Sequence, residues 1–360
     1  MSTSHPPLNY GLIEITDGCN LKCSHCRASA TTDPSAVTAL EKPIVEDLLE
    51  DLVELGANTV TFTGGEPTTH DSLSEFIGYA SDIGLKPRVQ TNGTTLQRDE
   101  LRQLQDHGLK QIGTGLDGDP GAHNCLRRSP VAYEMAVDMI EQAVDIGISV
   151  HVEHTITEYD PENTMSAIET ARDLGVDVFQ ARAVVPTGRA MDNFPFPLSP
   201  SEYQDFLTLL VECNRRYDDI IIGSQDPLYN LVNDEIQNKL EKKYGHVTAD
   251  EYITGCSALL TFVDVQPNGD VWPCSFMPEP IGNLHEERLR SMLADIEPDE
   301  PVCDMRCRTQ LTGTCGDCKY NNLCGGCRAR SRYVSGEVYG SDPLCWRTPD
   351  SPQQTPQPTD

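Results

Sequence analysis

Lysine is scarce. The 360 residues hold 8 lysines beside 19 arginines, and these 27 bases face 56 acids, a formal net charge of −29. So large an excess of carboxylates excludes a general binder of nucleic acid or of anionic membranes, which needs a positive surface. It fits a solvated acidic surface, and we expect a halophilic protein, adapted to a salty cytoplasm where screening removes the self-repulsion. No run of 18 apolar residues occurs, so no membrane-spanning helix is expected. The opening "MSTSHPPLNY" has neither a basic region nor an apolar core, so no export signal is expected there. Without such a signal, the 14 cysteines point to a cytoplasmic, metal-binding chain rather than to disulfides.

The cysteines are unevenly placed. Cys19, Cys23 and Cys26 lie within eight residues, and nine more lie between 256 and 345. Cys125 and Cys213 stand apart and read as incidental or packed thiols.

Strand and helix signals alternate over the first 185 residues. Strands read at 11–16, 58–67 (running into a glycine turn), 86–93, 110–118, 148–156 and 176–185, with helices at 41–56, 71–84, 98–108, 130–147 and 161–175. The helices tend to end at glycine. This is the rhythm of an α/β fold, a parallel sheet with helices outside it, whose active-site residues sit on the loops after the strands. A Pro-rich joint covers 186–198, and two helices are expected near 199–217 and 226–244. A hairpin turning at Asn268-Gly269 is expected within 258–274, and the Pro- and Gln-rich end reads as disordered. The expected organisation is a tail at 1–10, a core at 11–198, a helical connector at 199–255, a small Cys-rich α+β unit at 256–347 and a tail at 348–360.

Three thiolates spaced as in "CNLKCSHC" can wrap one corner of a four-iron cubane, leaving the fourth iron for a non-protein ligand. A zinc ion held by the three cysteines and His25 is the alternative. It is cramped, because the adjacent His25 and Cys26 would have to ligate one ion together. The octapeptide resembles the radical SAM (S-adenosylmethionine) pattern, with His25 in the aromatic place before the last cysteine. The family's second hallmark, Gly64-Gly65-Glu66-Pro67, follows at the expected end of the second strand, and the resemblance runs over roughly 11–347. It implies a partial (β/α)6 barrel of parallel strands. It also implies that Cys19, Cys23 and Cys26 hold a [4Fe–4S] cluster whose open iron takes the amino and carboxylate groups of SAM. One-electron reduction then yields methionine and a 5′-deoxyadenosyl radical that abstracts a substrate hydrogen. The resemblance further implies that Gly64, Gly65 and Glu66 meet the SAM ammonium and that the backbone near His25 meets the adenine. Thr91, Asn92 and Asp117 stand where the family contacts ribose or carboxylate, or are ordinary turn residues. Arg182 faces the SAM carboxylate or pairs with an acid.

The end of the chain has Cys256, Gly269, Cys274, Cys315, Cys318, Cys324, Cys327 and Cys345 in an order that resembles the SPASM domain, an auxiliary iron–sulfur module. Paired CxxC units are also a zinc habit, but five residues between the pairs is short for a zinc ribbon. The resemblance implies an outer cluster on Cys315, Cys318, Cys324 and Cys345 and an inner one on Cys256, Cys274 and Cys327. The fourth inner ligand is left open between Cys303, Cys307 and substrate. An electron-transfer role is favoured for both clusters, with a low-potential donor such as a ferredoxin or flavodoxin as partner.

For the substrate, "CGGCRAR" looks most like the subgroup that modifies tetrapyrroles in haem d1 and alternative haem synthesis. About 10 residues precede the first strand, so no peptide-recognition domain is expected there. Arg127, Arg128, Arg182 and Arg189 are candidates for propionate carboxylates, or for pairing with the chain's own acids. Peptide maturation is the second reading, because peptide-modifying relatives share the same cluster layout. A non-catalytic metal-binding scaffold is the third. Whether SAM is consumed or regenerated is left open.

Overall fold

The first strand shows how the molecule is layered. In β1 (Tyr10–Thr16), Ile13 and Ile15 are fully buried, while Tyr10, Leu12 and Glu14 alternate with them on the other face. The same alternation recurs in β5 (Ser149–Ile156): Val150, Val152 and Ile156 pack into the core, and Ser149, His151, Glu153 and Thr155 are only half-buried. A parallel sheet covered on both faces by helices would show continuous apolar runs. Here one face packs on helices and the other surrounds a cavity.

The computed structural model describes residues 8–194, 198–233, 255–295 and 308–347. The strands β2 (Thr59–Gly64), β3 (Lys86–Gln90), β4 (Gln111–Gly115), β5, β6 (Val178–Ala183) and β7 (Ile221–Gly223) follow β1 in spatial order, each parallel to its predecessor. Between them run α1 (Lys42–Glu54), α2 (Leu73–Asp82), α3 (Arg98–Asp106), α4 (Pro120–Arg127), α5 (Ala132–Asp145) and α6 (Pro161–Asp173). Their apolar residues recur at helical spacing. In α5, Ala132, Ala136, Met139, Ile140 and Ala143 are all buried. Each large side chain so buried contributes about 1.5–3 kcal/mol. The expected α/β fold with a largely parallel sheet is the fold observed.

After α7 (Ala190–Asn193), α8 (Pro200–Arg216) starts at Ser199, which accepts from Glu202 N and is bonded in return by the Glu202 carboxylate. That helix matches the expectation for 199–217. The helix expected over 226–244 is instead a short 3₁₀ turn, Pro227–Leu231, begun by Asp226; the rest of that stretch, from 234, lies outside the described residues.

The hairpin turning at Asn268-Gly269 is present as β8 (Phe262–Val265) and β9 (Asp270–Trp272), with β10 (Gly282–Asn283) beyond. β8 lies parallel to β1, Leu12 opposite Asp264, so the Cys-rich segment extends the core's own sheet. Among the described residues the remaining helices are α9 (Leu289–Asp295), α10 (Gly313–Gly316) and α11 (Arg328–Ser335). Cys303, Cys307 and the tail from 348 lie outside the described residues.

Candidate active site

The residues after β1 form the loop that carries the cysteine triplet, and neighbouring elements pin it backbone to backbone. Cys19 N donates to Thr31 O (2.8 Å), and Ser24 N donates to Leu126 O at the end of α4 (2.8 Å). Arg189 clamps it from the far side, with Nε on Cys23 O (3.1 Å) and Nη1 on Ala30 O (2.7 Å), while Arg189 N donates to Cys26 O (2.9 Å).

The Gly64-Gly65 turn is pressed against the root of this loop. A Cβ on Gly64, whose φ is +140°, would stand 2.1 Å from Thr16 O, and one on Gly65 would stand 2.3 Å from Gly18 O. Only glycine allows that approach. Glu66 then turns inward. Its buried carboxylate accepts from Thr68 Oγ1 and Thr91 Oγ1 (2.7 Å each), from Thr68 N (3.2 Å) and from Asn92 N (2.7 Å). It braces the second loop to the third. Asn92 in turn donates to Asn20 Oδ1 (2.8 Å) and reaches Cys19 Sγ (3.9 Å).

One cavity of about 460 Å³ lies inside the strands, a size suited to small-molecule ligands. It is lined by Cys19, Cys23, His25, Cys26, Gly64, Gly65, Thr91, Asn92 and Arg182, and also by Cys256, Cys274 and Cys327. Two sequence candidates stand just behind this lining. Glu66 is one. The other is Asp117, which takes Arg127 Nε (2.8 Å) and Thr155 N (3.1 Å), so that Arg127 reaches the cavity in its place. Burial would raise the Asp117 carboxyl, but Arg127 and the imidazoles around it hold it well below the usual carboxylate range. Cys315, Cys318, Cys324 and Cys345 gather around a second, smaller cavity.

The thiols suit a cationic centre. None is in a disulfide among the described residues. Burial pushes Cys19, Cys327 and Cys345 up to about 11, so they ionise only against positive charge held among them. N–H groups already point at the sulfurs: Leu21 N at Cys19 (3.4 Å), Tyr320 N at Cys318 (3.4 Å), Gly326 N at Cys324 (3.3 Å) and Asp342 N at Cys315 (3.5 Å). Such bonds stabilise thiolates and tune cluster potentials. His25 is partly buried, with Nδ1 shut off from solvent, and desolvation lowers it to about 4, so it presents a neutral ring beside the triplet.

Residues 13–159 match the radical SAM superfamily, and residues 256–328 match the iron–sulfur cluster-binding SPASM domain. The chain carries a radical SAM domain and a SPASM domain. It is a SAM-dependent enzyme whose two domains imply [4Fe–4S] clusters. Over 338 residues this radical SAM enzyme is 26% identical to the AdoMet-dependent heme synthase of Nitratidesulfovibrio vulgaris, covering 92% of this chain and 90% of that one. It is 26% identical over 348 residues to the pre-heme d1 synthase of Dinoroseobacter shibae (93% and 85% covered). Its fold is similar to that of Streptococcus suis SuiB bound to its precursor peptide SuiA, with TM-score 0.74 and 17% identity over 96% of this chain and 76% of that one.

The sequence reading missed a buried charge cluster. Arg27, directly after Cys26, pairs with Glu14 of β1 and lies 3.8 Å from Asp264 of β8. The signal was an acid within each of two strands that are otherwise uncharged. Burial, and then the neighbouring Glu14, push the Asp264 carboxyl up to about 8. A carboxyl raised on folding gives stability that is complete below its unfolded pKa and lost as pH rises toward the folded one. Asp264→Asn is therefore expected to match the parent below about pH 4. Above that its advantage over the parent should grow as pH rises, levelling off near 8. Thermal melts across pH check this; a gap that closes as pH rises would contradict it.

Proposed function

We propose that this radical SAM enzyme modifies a side chain of a tetrapyrrole in a haem-type synthesis. The observation that carries the reading is the likeness to the two haem-pathway synthases over more than nine-tenths of the chain. The shared cavity supports it, since the triplet and Cys256, Cys274 and Cys327 all face one substrate space.

Cys19, Cys23 and Cys26 would hold the SAM-binding cluster, Cys256, Cys274 and Cys327 the inner auxiliary one, and Cys315, Cys318, Cys324 and Cys345 the outer. When bound and reduced, the first cluster supplies one electron to the sulfonium of SAM, whose cleavage yields methionine and the hydrogen-abstracting 5′-deoxyadenosyl radical. The chain does the rest by position. Gly64 and Gly65 offer bare backbone for the ammonium group, with Glu66 holding that backbone in place rather than facing the cavity. Thr91 and Asn92 border the same space. Neutral His25 adds no charge beside the thiolates. Arg182, on β6, donates to Glu153 (3.1 Å) and Gln225 (3.4 Å), the acid pairing that was its second reading. The cysteines of the two auxiliary sites would hold clusters able to carry an electron between substrate and a low-potential donor such as a ferredoxin or flavodoxin.

The test is anaerobic reconstitution followed by incubation with SAM, reductant and iron coproporphyrin III. About 12 irons per chain, release of 5′-deoxyadenosine and a changed tetrapyrrole mass are expected. Turnover of a Cys- or Gly-rich precursor peptide without tetrapyrrole change would replace the reading with peptide maturation, and two zincs without iron would overturn the clusters.

We further propose a cytoplasmic, high-salt setting, from the net charge of −29. Among the described residues no helix is long and apolar enough to cross a membrane. The melting temperature should rise steadily from about 0.1 to about 2 M KCl; a flat or falling response in the melts would refute the salt adaptation.

A further inference from the structure

Six arginines line the main cavity: Arg27, Arg88, Arg127, Arg182, Arg189 and Arg330. Five are engaged. Arg27 pairs with Glu14, Arg127 with Asp117, Arg182 with Glu153, and Arg330 with Asp226 and Asp342, while Arg189 is spent on backbone carbonyls of the cysteine loop. Arg128, the other arginine that the sequence suggested for carboxylates, does not line the cavity and bonds Ser24 Oγ. Arg88 differs from all of these. Among the described residues it has no hydrogen bond and no ion pair, and it remains exposed. Of the six, Arg88 is the one with neither an acid nor a carbonyl to hold it among the described residues.

Its direction follows from the strand. Pro87 and Val89 are buried, so the alternate residues Arg88 and Gln90 are the ones that border the cavity. Arg88 is three residues before Thr91, hence about 10 Å down the strand from the end where the SAM-contacting loops converge. In register Arg88 stands opposite Gln111 of β4, and two residues further along Gln90 stands opposite Gly113 and Gly113 opposite His151 of β5, so that Arg88 and His151 border the same cavity with the amides of Gln90 and Gln111 between them. His151 Nε2 is buried and has no hydrogen-bond partner. A guanidinium fork and an imidazole N–H, both unspent, suit a carboxylate entering the cavity.

We propose that Arg88 and His151 form a carboxylate subsite that receives one propionate of the tetrapyrrole, a side chain other than the one under attack. This rests on the tetrapyrrole reading and adds to it the way the macrocycle is held. A rigid ring carries its carboxylates on separate edges. Anchoring one of them deep in the cavity fixes which other side chain lies at the strand ends, beside the site of hydrogen abstraction. The subsite thus sets regioselectivity as well as affinity.

The test is a Soret-band titration of the anaerobically reconstituted full chain with iron coproporphyrin III and with its neutral tetra-amide. The parent enzyme should bind the tetra-acid more tightly than the amide. Arg88→Gln should weaken the tetra-acid about 10- to 100-fold, the range of a lost charge-assisted bond, and leave the amide as it was. Arg88→Ala is the second variant should the first misfold. If the parent binds the tetra-acid and either folded variant binds it equally well, the subsite is wrong while the tetrapyrrole reading stands. If the parent binds neither compound, the tetrapyrrole reading fails and takes the subsite with it.

Discussion

Cys23→Ala is expected to abolish reductive cleavage of SAM, by a factor of at least about 10³, and to lower the iron content from about 12 to about 8 per chain. Cys23 is a buried thiol that lines the main cavity between Cys19 and Cys26. Two remaining cysteines cannot hold a cubane whose fourth iron must stay open. The loss would be chemical rather than structural. The loop is held through backbone atoms, by Ser24 N on Leu126 O and Arg189 on Cys23 O, and these survive removal of one sulfur. The control is Cys125→Ala, at an exposed position away from both cavities, which should keep all of the iron. Iron analysis, the low-temperature EPR signal of the reduced sample and chromatography of 5′-deoxyadenosine read the three quantities separately. Cleavage persisting in Cys23→Ala would break the assignment of the triplet.

The layering of the sheet was legible because β2 to β6 are each short, apolar on one face and preceded by a helix that ends at glycine. What escaped has particular causes. α4 is only eight residues long and largely polar, though Asp119 followed by Pro120 is a readable start, and Asp119 does accept from Ala122 N (2.8 Å). β7 is three residues long, below the length at which alternation can be seen. The pairing of β8 with β1 joins positions some 250 residues apart, and local pattern carries no information about such partners. The site divides the same way. The cysteines could be read from spacing, since a cluster needs thiols at fixed intervals. The roles of the arginines could not, because an arginine's role depends on which acid lies beside it in space. Arg127 and Arg182 were both suggested for substrate, yet Asp117 and Glu153 occupy them, and the unpaired Arg88 had no feature in the sequence to set it apart.

The largest effect on stability is expected at Arg330, in α11 three residues after Cys327. Its side chain is 4% exposed and holds two buried carboxylates at once. It pairs with Asp226 through Nη1 and through Nη2 (3.0 Å), and with Asp342 through Nε (3.0 Å) and Nη2 (2.7 Å). Asp342 also takes Cys327 N (2.6 Å), and Cys345 N bonds the Asp342 carbonyl (3.1 Å), so both auxiliary sites lean on this one cation. Arg330→Met leaves two uncompensated charges in the interior, at a cost of about 3–5 kcal/mol, or a melting temperature lower by roughly 10 °C. The pH dependence distinguishes this from a packing defect. In the parent, burial opposes ionisation of Asp226 but Arg330 overrides it and holds the carboxyl low. That stability is present above the unfolded carboxylate pKa and fails only as pH falls through the lower folded value. Without Arg330, burial is opposed only by the bonds from Leu228 N and Tyr203, the folded pKa moves up, and the variant loses stability as pH rises instead. The deficit should therefore be greatest near about pH 8 and shrink toward about pH 5, and Asp226→Asn with Asp342→Asn in the same chain should recover part of it. Melts of the reconstituted enzyme at both pH values decide the matter: a deficit that does not change with pH would mean that Arg330 acts through its bulk and not its charge.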